Sequence, residues 1–390
     1  MKILESLIEP MADVVYLDNA ASTRPLPELL EVMQDLCGFA FVNASAATMS
    51  SVNLKRAIKK MESHFRELAH LSDADFIWTG GGTEANNLAL FGAMANDGNL
   101  IGREIVTSVV EHPSIDRPLG ILEGRGAIVR QVPVDATGML DLQALSSVLS
   151  SATCLVSVSM VQSEVGAIQN MSAIRELMDI RCPRALLHSD AVQALVKVPL
   201  SWESARIDLT TFSGHKFHAL GGTGLLAVRN GVKLTPMIHG GGQQGNLRSG
   251  SLDGIGILAF LYAATTLLER VDVVRNVASE LNARLRRGIL EVAPNAVFNS
   301  TTHGSPFILN VSFPNYEGAV LMRLLDSLNV TVATGSACSS GKGEPSRALS
   351  AMKMDRRMAY AAIRISLGCT TTAEEIDVFV ERLKIALATY

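Results

Sequence analysis

The sequence predicts an α/β fold, a mostly parallel sheet with helices on both faces, joined to a smaller α+β unit. Three observations carry this. Between about residues 75 and 230, short apolar runs alternate with helix-like segments, as chains of βα units do. Polar turns rich in glycine, serine and histidine follow several of those runs, at the carboxyl ends of strands, where such sheets bind ligands. After about residue 260 the alternation gives way to long charged helical stretches with isolated strands between them.

Taken in order, strands are predicted over 76–78, 104–108, 127–132, 154–158, 185–188, 209–212 and 224–228. Helical periodicity fills 84–96, 141–150 and 172–181, with Asp141 and Ser172 fitting N-cap positions. Residues 254–268 are the longest uncharged apolar stretch. That is shorter than the roughly 20 residues a membrane span needs, so a buried helix is expected. A long charged helix is predicted through 267–292, a strand over 307–313, a helix near 317–328 and a strand over 363–367. Thr372 and Glu375 fit a capping box that opens the last helix.

The bulk numbers exclude several classes. The chain has 390 residues, 48% hydrophobic and 18% charged, enough for a large core and more than one domain. The net charge of −4 and the absence of a basic stripe argue against nucleic acid as a partner. No charged, apolar and small-residue succession marks a leader peptide at the N-terminus, so a soluble, cytoplasmic protein is expected. The cysteines, Cys37, Cys154, Cys182, Cys338 and Cys369, are odd in number and form no CxxC pair. Neither a disulfide framework nor a metal site is therefore expected. Cys154 lies in a strand-like run and reads as a small buried hydrophobe. Cys338 lies in a glycine- and serine-rich loop and is the candidate reactive thiol.

Ser213-Gly214-His215-Lys216 follows the apolar run 207–212, and Gly221-Gly222-Thr223-Gly224 comes just after it. A lysine at the end of a buried strand is costly unless used, and one use is a covalent imine with an aldehyde cofactor. Upstream, His188-Ser189-Asp190 closes another apolar run. A lysine and a carboxylate so placed suit pyridoxal phosphate, the lysine taking the aldehyde and the acid pairing with the pyridine nitrogen. Read alone, Lys216 fits a solvated loop lysine equally well. Gly80-Gly81-Gly82-Thr83 joins a strand to a helix, where backbone N–H groups and the Thr83 hydroxyl make an anion site. A tight turn needing glycine is the plainer alternative.

Together these motifs resemble the cysteine desulfurases, pyridoxal-phosphate enzymes of fold type I and aminotransferase class V. The likeness runs from Tyr16-Leu17-Asp18-Asn19-Ala20-Ala21-Ser22-Thr23 to Arg364-Ile365-Ser366-Leu367-Gly368. It includes the family's active-site loop as Gly335-Ser336-Ala337-Cys338, followed by Glu344-Pro345-Ser346. The order of motifs is similar to that of the group supplying sulfur for iron–sulfur clusters and thiolated tRNA. The resemblance implies a large cofactor-binding domain over 15–262. It implies a small domain from 1–14 and 263–390 that carries the cysteine loop. By the same resemblance Lys216 holds the cofactor and moves protons, Asp190 keeps the pyridine nitrogen protonated, and Gln193 bonds the ring's phenolic oxygen. His112 stacks on the ring and serves in acid–base chemistry. Gly82, Thr83, Ser213 and His215 bind the phosphate, and Ser251 of Arg248-Ser249-Gly250-Ser251 reaches it from a second subunit of a homodimer. Arg364, Gln162 and Asn19 bind substrate. The activity implied converts L-cysteine to L-alanine, leaving a persulfide on Cys338 for a protein acceptor, an iron–sulfur scaffold or sulfur carrier.

The chain departs from the family pattern around the substrate. Where the family has His-Val-Asn-Asn-Glu-Ile/Thr-Gly, this chain has Met160-Val161-Gln162-Ser163-Glu164-Val165-Gly166. An Asn-Pro-Ser-Ser segment is replaced by Val42-Asn43-Ala44-Ser45, and Gly-Gly-Gly-Gln-Glu by Gly240-Gly241-Gly242-Gln243-Gln244. Altered substrate handling and slow turnover of free cysteine are expected. Another pyridoxal-phosphate lyase or transaminase, and a weakly active paralogue serving as a scaffold, are the alternatives.

Overall fold

The computed structural model describes residues 14–95, 100–200, 202–335 and 346–390. The chain opens with β1 (Val15–Tyr16), α1 (Pro27–Ala40) and α2 (Met49–Leu68). It then alternates through β2 (Ala74–Thr79), α3 (Gly82–Met94), β3 (Glu104–Ser108), α4 (Pro113–Gly124) and β4 (Ile128–Val132). There follow α5 (Leu142–Val148), β5 (Thr153–Ser157), α6 (Met171–Arg181), β6 (Leu186–Asp190), β7 (Leu209–Ser213) and β8 (Gly224–Arg229). Two long helices come next, α7 (Gly254–Leu268) and α8 (Val271–Val292). The remainder is β9 (Val297–Phe298), β10 (Ile308–Ser312), α9 (Gly318–Ser327), β11 (Val330–Thr331), α10 (Arg347–Ala351), α11 (Arg356–Tyr360), β12 (Ala362–Ser366) and α12 (Ala373–Thr389).

A seven-stranded sheet has the order β2-β8-β7-β6-β5-β3-β4. β8 runs antiparallel to both neighbours, and the other six strands share one direction. The reversal has a simple cause. Only a short turn separates Ser213 from Gly224, and a parallel return needs a crossover of about a dozen residues or more. As a result the carboxyl ends of β2 and β7, at Thr79 and Ser213, meet at the amino end of β8, where both pair with Gly224. Strand order changes direction between β3 and β5, the place where open sheets take ligands. The strands β12-β10-β9 form a smaller antiparallel sheet, and β1 pairs with β11.

The predicted helix over 267–292 is interrupted. α7 ends at Leu268 and α8 begins at Val271, with Arg270 leaving helical geometry between them. α7 is apolar all round and sits in the core, whereas α8 buries one stripe against α12; one straight rod cannot do both. The N-cap of α6 is Asn170, which accepts from Ala173 N, rather than Ser172, which lies inside the first turn. Asp141 caps α5, and Thr372 with Glu375 completes its capping box. Cys154 is half-buried rather than core, taking a hydrogen bond from Arg103 Nε at 3.4 Å. Among the described residues no helix is long and apolar enough to cross a membrane.

Candidate active site

The carboxyl edge of the large sheet collects most of the expected residues. The β2–α3 turn runs Gly80-Gly81-Gly82-Thr83, and Gly81 caps α3 with φ +150°, a conformation only glycine adopts readily. Gly81 offers no side-chain cap, so the first N–H groups of α3 stay open to an anion. A cleft of about 580 Å³ lies against this turn, lined also by Ser213 and His215. The carboxylate beside it is neutralised, since Glu84 accepts from Arg248 Nε at 2.8 Å and from Gly80 N at 2.7 Å. A Cβ on Gly224 would lie 2.4 Å from the Gly81 backbone, so glycine is required for this approach. Ser251 is exposed and does not line the cleft of the single chain.

Lys216 ends the short 3₁₀ turn that follows β7. Its Nζ donates to Ala20 O at 2.8 Å and Ala21 O at 2.6 Å. His215 contacts Ser22 Oγ at 3.2 Å, and burial followed by the Lys216 and Lys197 cations pushes its pKa down to about 4. A neutral imidazole there is a neutral donor for an anion.

Asp190 ends β6 and is buried. Its Oδ1 accepts from Val192 N at 3.0 Å and its Oδ2 from Asn86 Nδ2 at 2.8 Å. The same Asn86 nitrogen donates to Ser114 Oγ at 2.8 Å. That hydroxyl lies 2.7 Å from His112 Nδ1, which also accepts from Ser114 N at 3.1 Å as the N-cap of α4. An accepting Nδ1 puts the proton of the neutral ring on Nε2. Burial holds the His112 pKa below its usual value, opposed by Asp190 and reinforced by Lys216. Next to it, buried Glu111 ties β3 to β5, accepting from Ser108 Oγ at 2.6 Å, Ser159 N at 3.1 Å and the Ser159 hydroxyl. Burial pushes the Glu111 carboxyl up to about 7.

Segment 18–23 joins this edge to the small sheet. Asn19 Nδ2 donates to Tyr16 O at 3.1 Å and Ser366 O at 2.9 Å, so its amide fastens β12 to the start of the chain. Arg364, on β12, is buried; it donates to Asp18 Oδ1 at 2.7 Å and to Ser163 O at 3.1 Å, while its Nε has no hydrogen-bond partner. Gln162 is buried too, and its Oε1 accepts from Glu164 N at 2.7 Å and Val165 N at 2.8 Å. Its oxygen is thus engaged in its own turn. Glu164 bonds the Ser346 hydroxyl, and burial pushes its carboxyl up to about 7. Cys338 lies outside the described residues.

The structure therefore brings Gly82, Thr83, His112, Asp190, Gln193, Ser213, His215 and Lys216 to one edge, with Arg364 and Asn19 linked to it through segment 18–23. Sequence reasoning gave no role to Asn86, Ser114, Glu111, Lys197 or Asp18. For Asn86 and Glu111 the available signal was a polar residue close to the end of a predicted strand; their partners were not readable.

The model of the aminotransferase class-V family matches residues 15–379. The chain belongs to that family. A cysteine desulfurase of Cereibacter sphaeroides is 37% identical over 372 residues, covering 95% of this chain and 94% of the relative. The cysteine desulfurase NifS of Azotobacter vinelandii is 32% identical, covering 94% and 90%. Among solved structures, a NifS-like protein superposes with a TM-score of 0.89 at 31% identity over 97% of this chain and all of its own. A NifS-like protein from Rickettsia africae does so at 0.84 and 26% identity, over 96% and 99%. The class-V chain thus has the fold-type-I architecture of the NifS-like enzymes.

Proposed function

We propose that this chain is a pyridoxal-phosphate-dependent cysteine desulfurase, converting L-cysteine to L-alanine and carrying the sulfur as a persulfide on Cys338. The observation that supports this reading is that Asp190 ends β6 while Lys216 follows the end of its parallel neighbour β7, on the edge that also carries a helix N-terminus without a side-chain cap. The unpartnered Arg364 Nε and the glycine-only approach of Gly224 to Gly81 fit a carboxylate substrate and a phosphate cradle respectively.

Pyridoxal phosphate, when bound, supplies an aldehyde for the substrate amine and a ring that accepts the electron pair released at the α-carbon. The chain does the rest. Lys216 would hold the aldehyde and move the α-proton. Asp190, kept in place by Asn86 and Val192 N, would pair with the pyridine nitrogen. His112, whose Nδ1 accepts from Ser114 N, would stack on the ring and serve in acid–base chemistry through Nε2. Gly82, Thr83, Ser213 and His215 take the phosphate, and Ser251 reaches it from the second subunit of a two-fold homodimer. Arg364 takes the substrate carboxylate, a bidentate task suited to guanidinium, with Asn19 and Gln162 around it. The Cys338 thiolate attacks the substrate sulfur; the S–S bond forms as the carbon–sulfur bond breaks, and alanine leaves after protonation. The large domain spans 15–262, and the described residues of 263–390 belong to the small one; residues 1–13, also expected there, lie outside the described residues. The enzyme is cytoplasmic, and its acceptor is a protein, an iron–sulfur scaffold or sulfur carrier.

The test is to incubate cofactor-loaded protein with L-cysteine and reductant, measuring alanine and sulfide together. Equal amounts are expected, with both abolished in Lys216→Ala and sulfide abolished in Cys338→Ser. Sulfide with pyruvate in place of alanine, or undiminished sulfide from Cys338→Ser, overturns the reading.

A further inference from the structure

Lys197 is a second lysine close behind the site, and the mechanism above does not use it. It is 3% exposed. Its Nζ donates to Gln193 Oε1 at 2.8 Å, and among the described residues it forms no ion pair with a carboxylate. A buried lysine without a counter-ion is costly to keep. Gln193 in turn donates from Nε2 to Ala20 O at 2.8 Å, the same carbonyl that accepts from Lys216 Nζ at 2.8 Å. The two lysines are thus joined through one amide and one carbonyl.

This arrangement fixes the amide. Lys197 is a donor and Ala20 O an acceptor, so only one orientation of Gln193 satisfies both. The reverse would set nitrogen against nitrogen and oxygen against oxygen. With oxygen turned toward Lys197, Gln193 keeps one N–H on Ala20 O and one to spare.

We propose that Lys197 is a positioning residue that orients Gln193, holding its amide oxygen inward so that the spare N–H is aimed at the phenolic oxygen of the cofactor. The proposal rests on the cofactor reading above. The groups that act on Lys197 electrostatically are Cys369, Lys216 and Arg364, and Lys197 in turn acts on His215 and His218. Burial above all pushes its amine down to about 7. Charged or neutral, it keeps a hydrogen for Gln193.

The test follows the visible absorption band of the cofactor-loaded protein as pH is raised, together with cofactor affinity measured by titrating the apo-protein. A donor on the ring oxygen lowers the proton affinity of that end of the cofactor. Lys197→Met, similar in length and apolar, is therefore expected to raise the midpoint by about one pH unit and to weaken cofactor binding several-fold. Lys197→Gln keeps a donor without the charge and is expected to stay near the parent in both readouts. The double variant Lys197→Met/Gln193→Leu is expected to match Gln193→Leu alone, because the lysine acts through the glutamine.

A parent-like midpoint and affinity in Lys197→Met overturn the proposal. So does a Lys197→Gln midpoint shifted as far as one unit, which would make the charge itself the agent and which decides the matter even where the methionine variant does not fold. Additive shifts in the double variant overturn it as well. A parent protein that binds no cofactor and shows no visible band fails the underlying reading instead, a distinguishable result.

Discussion

Asn86 and Asp190 face each other across the active-site edge, amide nitrogen to carboxylate oxygen at 2.8 Å, with the same nitrogen 2.8 Å from Ser114 Oγ. One side chain thereby links the carboxylate proposed to pair with the pyridine nitrogen to the hydroxyl that touches His112. Asn86→Leu should leave Asp190 short of a buried donor and release Ser114. Losing a hydrogen bond to a buried charged group costs about 1.5–3 kcal/mol. Turnover of cysteine is expected to fall at least tenfold, with the cofactor still bound. Parent-like turnover would show that Val192 N alone holds Asp190.

Gly224→Ala tests the proposed phosphate cradle without touching a polar group. The new methyl would lie 2.4 Å from the Gly81 carbonyl carbon, which is backbone and cannot rotate away. The β2–α3 turn must shift, and overpacking of this kind costs about 1–3 kcal/mol. Cofactor affinity is expected to fall more than tenfold, with a lower melting temperature. Unchanged affinity, measured by titrating apo-protein, would place the phosphate elsewhere.

Two buried groups give the stability–pH curve opposite slopes. Burial raises the Glu111 carboxyl from 4.5 to about 7. Between those pH values the folded chain binds more protons than the unfolded one, so stability falls as pH rises. Burial lowers the Lys197 amine from 10.5 to about 7. Between 7 and 10.5 the unfolded chain binds more protons, so this group's share of stability rises with pH. Each contributes up to about 1.4 kcal/mol per pH unit within its window. Glu111→Gln should flatten the acid slope and Lys197→Met the alkaline one. Denaturant midpoints followed across pH check both, and an unchanged slope in either variant refutes that assignment.

Gln162 and Ser163 stand where the desulfurase pattern that the sequence resembles carries two asparagines. The Gln162 oxygen is engaged with Glu164 N and Val165 N, leaving only its amide nitrogen for a substrate, and the Ser163 carbonyl accepts from Arg364. Positioning errors next to the reacting atoms can cost about 100-fold in rate. Installing asparagine at both positions should raise cysteine turnover by about 10- to 100-fold. No gain, from a parent already turning over briskly, would show that the pocket is complete as it stands.

The sequence by itself determined the βα alternation, the turns at strand ends, and the capping box of Thr372 and Glu375. These depend on residues close in the chain, where periodicity and cap chemistry act directly. It also carried Lys216, Asp190 and the Gly80–Thr83 turn, because each follows its own strand and inherits its position from it. The tertiary structure alone decided which of these edges meet. Asn86 finds Asp190 from 104 residues away, Lys216 finds the Ala20 carbonyl from 196, and Arg364 finds Asp18 from 346. Strand order decides such pairings, and an apolar period reports which face of a strand is buried but not which strand lies beside it. Lys197 and Gln193 are only four residues apart, yet nothing in the local sequence shows that the lysine is buried and that, among the described residues, no carboxylate pairs with it. Burial, a property of the whole fold, turns that pair into an oriented donor.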